Sequence, residues 1–256
     1  MLYGTLLLLG DSITFGARAD TAGHACLGYP EHLASLLSPH ECCEWSPLNR
    51  GISGQTTRQI ADRAPGAFRE LLAYAGPRWA VVLAGTNDAK HPGVPLDEWE
   101  VLFRQTISWG RRAIVPLALC TFPPIRGAAM PAFGPNAQAW ADAASARVRA
   151  LVAELDGSPS PVVLVELADM PDSLLCDGVH LSAVGYRALA LRVADALLFR
   201  PARPWAEIVA EAVAWFDAAD GSRVAKPAST LGSEACSVDP GGKKRTRKAK
   251  SYTAGT

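Results

Sequence analysis

Short, apolar, β-rich runs alternate with helical periodicity along the first 200 residues, and this alternation restricts the fold more than any other feature of the chain. Leu6–Leu9, a weaker run at Cys43–Leu48, Trp79–Leu83, Ile114–Leu119 and Val162–Val165 read as strands. Between them lie helical patterns at Tyr29–Leu37, at Thr56–Leu72 with a break expected near Pro65-Gly66, and at Pro135–Leu155. A further helix is expected to be capped by Asp97 and to carry Trp99, Leu102, Phe103 and Ile107 on one face. Ser182 can cap a last core helix ending near Leu198, because its hydroxyl can accept from first-turn N–H groups. Strands alternating with helices imply βαβ units. The expected architecture is a three-layer α/β domain with a mostly parallel, five-stranded sheet and helices on both faces. Such a sheet collects its functional loops at the carboxyl ends of the strands.

The pattern stops near Arg200, so residues 1–200 read as the domain. In 201–219 an apolar stripe of Trp205, Ile208, Val209, Ala212, Val213 and Phe216 predicts one amphipathic helix, packed back on the domain or docked on a second subunit. Residues 220–256 read as a disordered tail. The net charge of zero conceals an asymmetry: residues 219–256 hold 8 basic and 3 acidic side chains, against 17 basic and 22 acidic before them. Lys243, Lys244, Arg245, Arg247, Lys248 and Lys250 would attract a polyanion weakly and in a salt-dependent way. No run reaches the ~20 apolar residues of a membrane span, and Leu6–Leu9 ends in Gly10-Asp11 rather than at a cleavage site. Six cysteines without CxxC spacing read as thiols, which together suits a cytoplasmic protein.

Four turns following strands hold chemistry-bearing residues. Ser12, in Gly10-Asp11-Ser12, sits where a strand turns into a helix; it can present its hydroxyl at the sheet edge or merely cap the next helix. In Asp177-Gly178-Val179-His180, a helical turn would bring the carboxylate to the imidazole Nδ1–H and leave Nε2 as a base. In Gly85-Thr86-Asn87-Asp88, the Asn87 amide could donate to a developing oxyanion or simply fill a polar turn. In Asn49-Arg50-Gly51-Ile52-Ser53-Gly54, Gly51 could offer an unshielded backbone N–H or be an ordinary loop glycine. The Gly-x-Ser-x-Gly elbow, any dinucleotide or Walker glycine loop, and zinc-spaced histidine–cysteine clusters are all absent, so no cofactor or metal is expected.

In this order the four blocks resemble those of the SGNH (GDSL-type) hydrolases over about residues 4–199. The resemblance implies a flavodoxin-like sandwich and an esterase mechanism. Ser12 would be the nucleophile, His180 the base and Asp177 its orienting acid, with the oxyanion held by the Ser12 and Gly51 N–H groups and the Asn87 side chain. The implied activity is hydrolysis of carboxylic esters of small acylated molecules, with carbohydrate O-deacetylation as the rival within the family. A catalytically silent binding protein tethered by its basic tail is the rival outside enzymes. Loops at Lys90–Pro95 and Thr121–Pro135 are expected to shape the acyl and alcohol pockets, with Trp45 and Phe122 as candidate walls or core residues.

Overall fold

Leu6, Leu7, Leu8 and Leu9 are all fully buried, but they face alternate sides of one sheet. A computed structural model describes residues 2–17, 27–39, 43–90, 92–126 and 131–224, with side chains up to residue 218. Cys26, Cys42, Cys236 and the basic cluster from Lys243 to Lys250 lie outside these residues. The leucine run belongs to β1 (Leu2–Gly10), which pairs with β2 (Cys43–Gly51) and β3 (Arg78–Leu83). Strands β4 (Leu117–Cys120) and β5 (Val162–Val165) complete an all-parallel sheet of order β2-β1-β3-β4-β5. This is the doubly wound order in which the chain reverses direction between β1 and β3, opening a crevice beyond their carboxyl ends.

One face of the sheet is covered by α2 (Tyr29–Leu37), α6 (Ala183–Leu197) and α7 (Trp205–Val224), into which Leu6 and Leu8 pack. The other is covered by α3 (Thr57–Ala73), α4 (Leu96–Arg112) and α5 (Ala137–Glu154), against Leu7 and Leu9. A single turn, α1 (Ser12–Phe15), follows β1 directly. Burying each leucine contributes roughly 1.5–3 kcal/mol, so β1 is firmly held on both faces.

Several local expectations need correction. Helix α3 runs straight through Pro65. The proline removes one hydrogen bond, a loss of roughly 3 kcal/mol, but the face formed by Ile60, Ala64, Phe68 and Leu71 is buried against the sheet and outweighs it. Helix α4 begins at Leu96 after Pro95, so Asp97 is inside the first turn, where it complements the helix dipole and pairs with Arg147 at 2.7 Å. The run starting at Ile114 is not strand at first: Ile114 closes α4 in a left-handed conformation (φ 54°) and is exposed. Strand β2 continues three residues beyond Leu48, to Gly51. Trp45 and Phe122 are both core residues. The Trp45 indole lies over Gly4, six positions or about 20 Å below the end of β2, and Phe122 packs edge-on to Trp99 and Trp140.

Helix α7 folds back on α6, and it continues through residues 220–224, which the sequence assigns to the tail. Trp205, Ile208 and Ala212 are buried, and the Trp205 indole N–H donates to Asp169. Further along, Trp215 and Phe216 meet the imidazole of His32 edge-on, and the Arg187 guanidinium stacks over Trp215. Burial, reinforced by the charge of Arg187, pushes His32 down to about 4. Its neutral form therefore stabilises the fold fully above pH 6.5, and this stability is lost as the pH falls toward 4. The unfolding free energy of the wild type relative to His32→Gln should fall by about 2 kcal/mol between pH 7.5 and pH 5 in urea titrations. A difference independent of pH would show that the imidazole is not held neutral beneath α7.

Candidate active site

At the end of β1, Gly10 pairs with Gly51 of β2 and Leu83 of β3, so three strands finish at one level. Ser12 stands just beyond, at the first position of α1, and its backbone is held by Asp11, whose Oδ1 accepts from the Ile13 N–H at 3.1 Å. The His180 Nε2 lies 3.0 Å from Ser12 Oγ, and its Nδ1 lies 2.8 Å from Asp177 Oδ2. Residues 177–180 form a loop rather than the expected helical turn. An isolated bridge between Leu175 and Leu181 closes it, and Asp177 Oδ1 accepts from the N–H groups of Val179 and His180 at 3.1 and 2.8 Å. One carboxylate thus shapes its own loop and orients the imidazole. Burial alone would raise Asp177, but the hydrogen bonds from the His180 backbone and ring and from Val179 bring it below the ordinary carboxylate value.

Asn87 sits in a single 3-10 turn, Thr86–Ala89, after β3. Its Nδ2 donates to the Gln55 carbonyl at 3.0 Å, which fixes the amide plane and leaves the second N–H available toward the crevice. Arg63, on α3, anchors this assembly from below: it donates to the Gly10 carbonyl at 2.8 Å and to Gln55 Oε1 at 2.6 Å. Asp88 points away from the crevice and accepts from the N–H and hydroxyl of Thr57, tying the Asn87 turn to the start of α3. Arg63 and Gln55 escaped the sequence reading because their role is to brace backbone.

Gly51 is the exception among the expected site residues. Its N–H donates to Asn49 Oδ1 at 2.9 Å, and a Cβ there would fall 2.1 Å from the Phe15 nitrogen. It is the last residue of β2, required for close contact with α1, and does not face the crevice. Gly54 does. It adopts φ 81°, with open space where a side chain would be, and lines a cavity of about 90 Å³ with Ser12, Ser53, Asn87, Lys90, Phe133, Val179 and His180. Strand β2 runs three residues past Leu48, which places Gly51 in the strand and Gly54 in the loop that follows. The two loops expected to shape the pocket supply Lys90 and Phe133. A larger groove of about 370 Å³, between Trp45, Arg78, Trp79 and Ile114, lies at the opposite edge of the sheet, away from these groups.

The arrangement supplies a hydroxyl hydrogen-bonded to an imidazole, a carboxylate behind it, and polar N–H groups in front, which can carry out acyl transfer. The sequence over residues 8–188 matches the model of the GDSL-like lipase/acylhydrolase family. The chain belongs to that family. No curated protein gives a significant match. Among solved structures, the family fold is shared with a lipase/acylhydrolase from Enterococcus faecalis (20% identity, 80% of this chain and 100% of that one, TM-score 0.57). It is shared too with an acetylxylan esterase from Geobacillus stearothermophilus (24%, 78% and 95%, TM-score 0.55) and a carbohydrate esterase family 3 protein from Talaromyces cellulolyticus (17%, 78% and 97%, TM-score 0.59). At these identities the likeness is one of fold. Among the described residues no three His, Cys, Asp or Glu side chains stand close enough to hold a metal ion, and no helix is long and apolar enough to cross a membrane.

Asp11, fully buried beside Ser12, is pushed up to about 6 by burial; the hydrogen bond from Ile13 and the neighbouring Thr86 hydroxyl oppose the rise, and the charge of Asp88 adds to it. Between pH 3.8 and about 6 the folded state holds a proton that the unfolded chain has released, so this carboxyl lowers stability as the pH rises through that window. Asp11→Asn keeps the acceptor for Ile13 and removes the titration. Relative to the wild type, its unfolding free energy should gain about 2 kcal/mol between pH 4.5 and pH 7. Parallel pH profiles for the two proteins would contradict this assignment.

Proposed function

We propose that this GDSL-family chain is a serine ester hydrolase acting on carboxylic esters with a short, acetyl-sized acyl group. The observation that carries the proposal is the Ser12–His180–Asp177 hydrogen-bonded relay at the wall of a cavity of only about 90 Å³. A volume of this size holds a handful of water molecules, far short of the several hundred Å³ of a site that encloses a drug-sized ligand.

Ser12 Oγ attacks the ester carbonyl carbon while His180 Nε2 takes the hydroxyl proton, and Asp177 holds the ring and stabilises the imidazolium. The carbonyl oxygen becomes an oxyanion, received by the N–H groups of Ser12 and Gly54 and by Asn87 Nδ2. Gly54 takes the part first assigned to Gly51, because its N–H borders the cavity and makes no bond to another described residue. As the carbonyl reforms, the C–O bond to the alcohol breaks and His180 returns the proton to the leaving oxygen. A water molecule, deprotonated by His180, then attacks the acyl-enzyme; the carboxylic acid departs and Ser12 is regenerated.

A second reading is favoured by the open end of the cavity, where Ser53 and Gly54 are exposed and polar. Such an opening admits a hydroxylated alcohol, so the physiological ester could be an O-acetylated sugar. An acetylxylan esterase and a carbohydrate esterase are among the proteins that share the fold.

A fluorophosphonate probe should label the wild type and leave Ser12→Ala unlabelled; absence of label on the wild type would end the hydrolase reading. Asn87→Ala should lower kcat by roughly 10²–10³ if its amide stabilises the oxyanion. Across p-nitrophenyl esters, kcat/KM should be highest for acetate and fall sharply by hexanoate. A profile rising with chain length would remove the short-acyl assignment, and comparison with acetylated xylo-oligosaccharides decides between aryl and sugar esters.

A further inference from the structure

The cavity has a closed end and an open one. Ser12, Asn87, Phe133 and Val179 are buried; Lys90 is half-buried, and Ser53 and Gly54 are exposed. An acyl group attached to Ser12 occupies the closed end, so the alcohol half of the ester passes Lys90 and Ser53 on its way to solvent.

Among the described residues no carboxylate lines this passage. The acids nearest to it along the chain and at the site are committed elsewhere. Asp88 accepts from Thr57, Asp177 is turned onto its own loop and His180, and Asp11 is fully buried below Ser12. Lys90 has no ion pair or side-chain hydrogen bond with a described residue; its ammonium stands 5.6 Å from the centroid of the Phe133 ring. The Ser53 hydroxyl likewise has no hydrogen bond to a described residue. The Lys90 backbone is fixed, since its N–H donates to the Asn87 carbonyl and its own carbonyl accepts from Gly93. An ammonium on a rigid turn, set over a buried aromatic ring and with no carboxylate among the described residues facing it, gives the passage a net positive field. In a crevice with low-dielectric walls such a field attracts and orients an anion.

We propose that Lys90 and Ser53 form an anion subsite, and that the natural substrate is a short-acyl ester whose alcohol half carries a carboxylate, phosphate or sulfate. The inference deepens the hydrolase reading and rests on it. Lys90 supplies a charge-assisted hydrogen bond, Ser53 a hydroxyl donor, and neither takes part in bond making at the carbonyl.

The test is a matched pair of esters, 4-acetoxybenzoate and its neutral methyl ester, compared as a ratio of kcat/KM so that the amount of active enzyme cancels. The wild type should favour the anionic ester by about tenfold at low ionic strength, and the preference should shrink as salt is added. Lys90→Gln should abolish the preference, Lys90→Glu should invert it, and Lys90→Arg should retain it. Circular dichroism establishes that each variant is folded. An unchanged ratio in Lys90→Gln, in an enzyme whose Ser12 takes the fluorophosphonate, overturns the subsite and leaves the hydrolase reading intact. No hydrolysis of either ester together with no label on Ser12 overturns both. The same ratios with 4-acetoxyphenyl phosphate and sulfate distinguish the three anionic groups.

Discussion

Strand β1 is sealed on both faces, and the geometry of the site depends on that burial. Leu6 and Leu8 are locked beneath α2 and α6, Leu7 and Leu9 beneath α3 and the helices beside it. Such a strand cannot slip by one residue without exchanging two packed faces at once. Its register therefore fixes Gly10 against Gly51 and Leu83, and with them the level at which the chain leaves the sheet. Ser12 follows β1, Asn87 follows β3, and the crevice between them is the point where the winding of the sheet reverses. Rigid strands carry the reactive groups to a common edge; short turns, each braced by one or two side chains, complete the placement.

The carboxylates around the crevice show how environment divides chemically identical groups. Asp177 receives N–H donors at both oxygens and is held ionised, as a partner of an imidazole must be. Asp88, nearly as close in sequence to Asn87 as a residue can be, is raised by burial and serves to bind the start of α3. Asp11 is adjacent to Ser12 yet wholly enclosed, with Oδ2 lacking a partner that meets hydrogen-bond geometry. The positive side chains divide in a similar way: Arg63 points inward to brace carbonyls, whereas Lys90 faces the passage.

Much of this was legible in the sequence because the signals were local. Short apolar runs flanked by turn residues, such as Leu6–Leu9 and Trp79–Leu83, read as strands buried on both faces, and their alternation with helices implies a parallel sheet. Ser12, Asn87, Asp177 and His180 were visible as polar residues in turns after strands, and the structure brings all four to one crevice. The failures arose where tertiary contacts overrule local preference. Pro47, Asn49 and Arg50 are poor strand residues, so β2 read as ending at Leu48, yet pairing with β1 carries it to Gly51. Pro65 read as a break because packing of α3 on the sheet has no counterpart in a sequence window. Arg63 and Gln55 gave no signal, since bracing a distant carbonyl follows no short-range pattern.

The hydrogen bond between Ser12 and His180 joins positions 168 apart. During synthesis the serine leaves the ribosome well before its imidazole partner, which follows 168 residues later. The relay therefore cannot assemble on a partial product; a nascent or prematurely terminated chain lacks the base, however well its early strands have paired. The Ser12–His180 contact is in this sense a readout of completed folding, and a chain cut anywhere before residue 180 cannot form it.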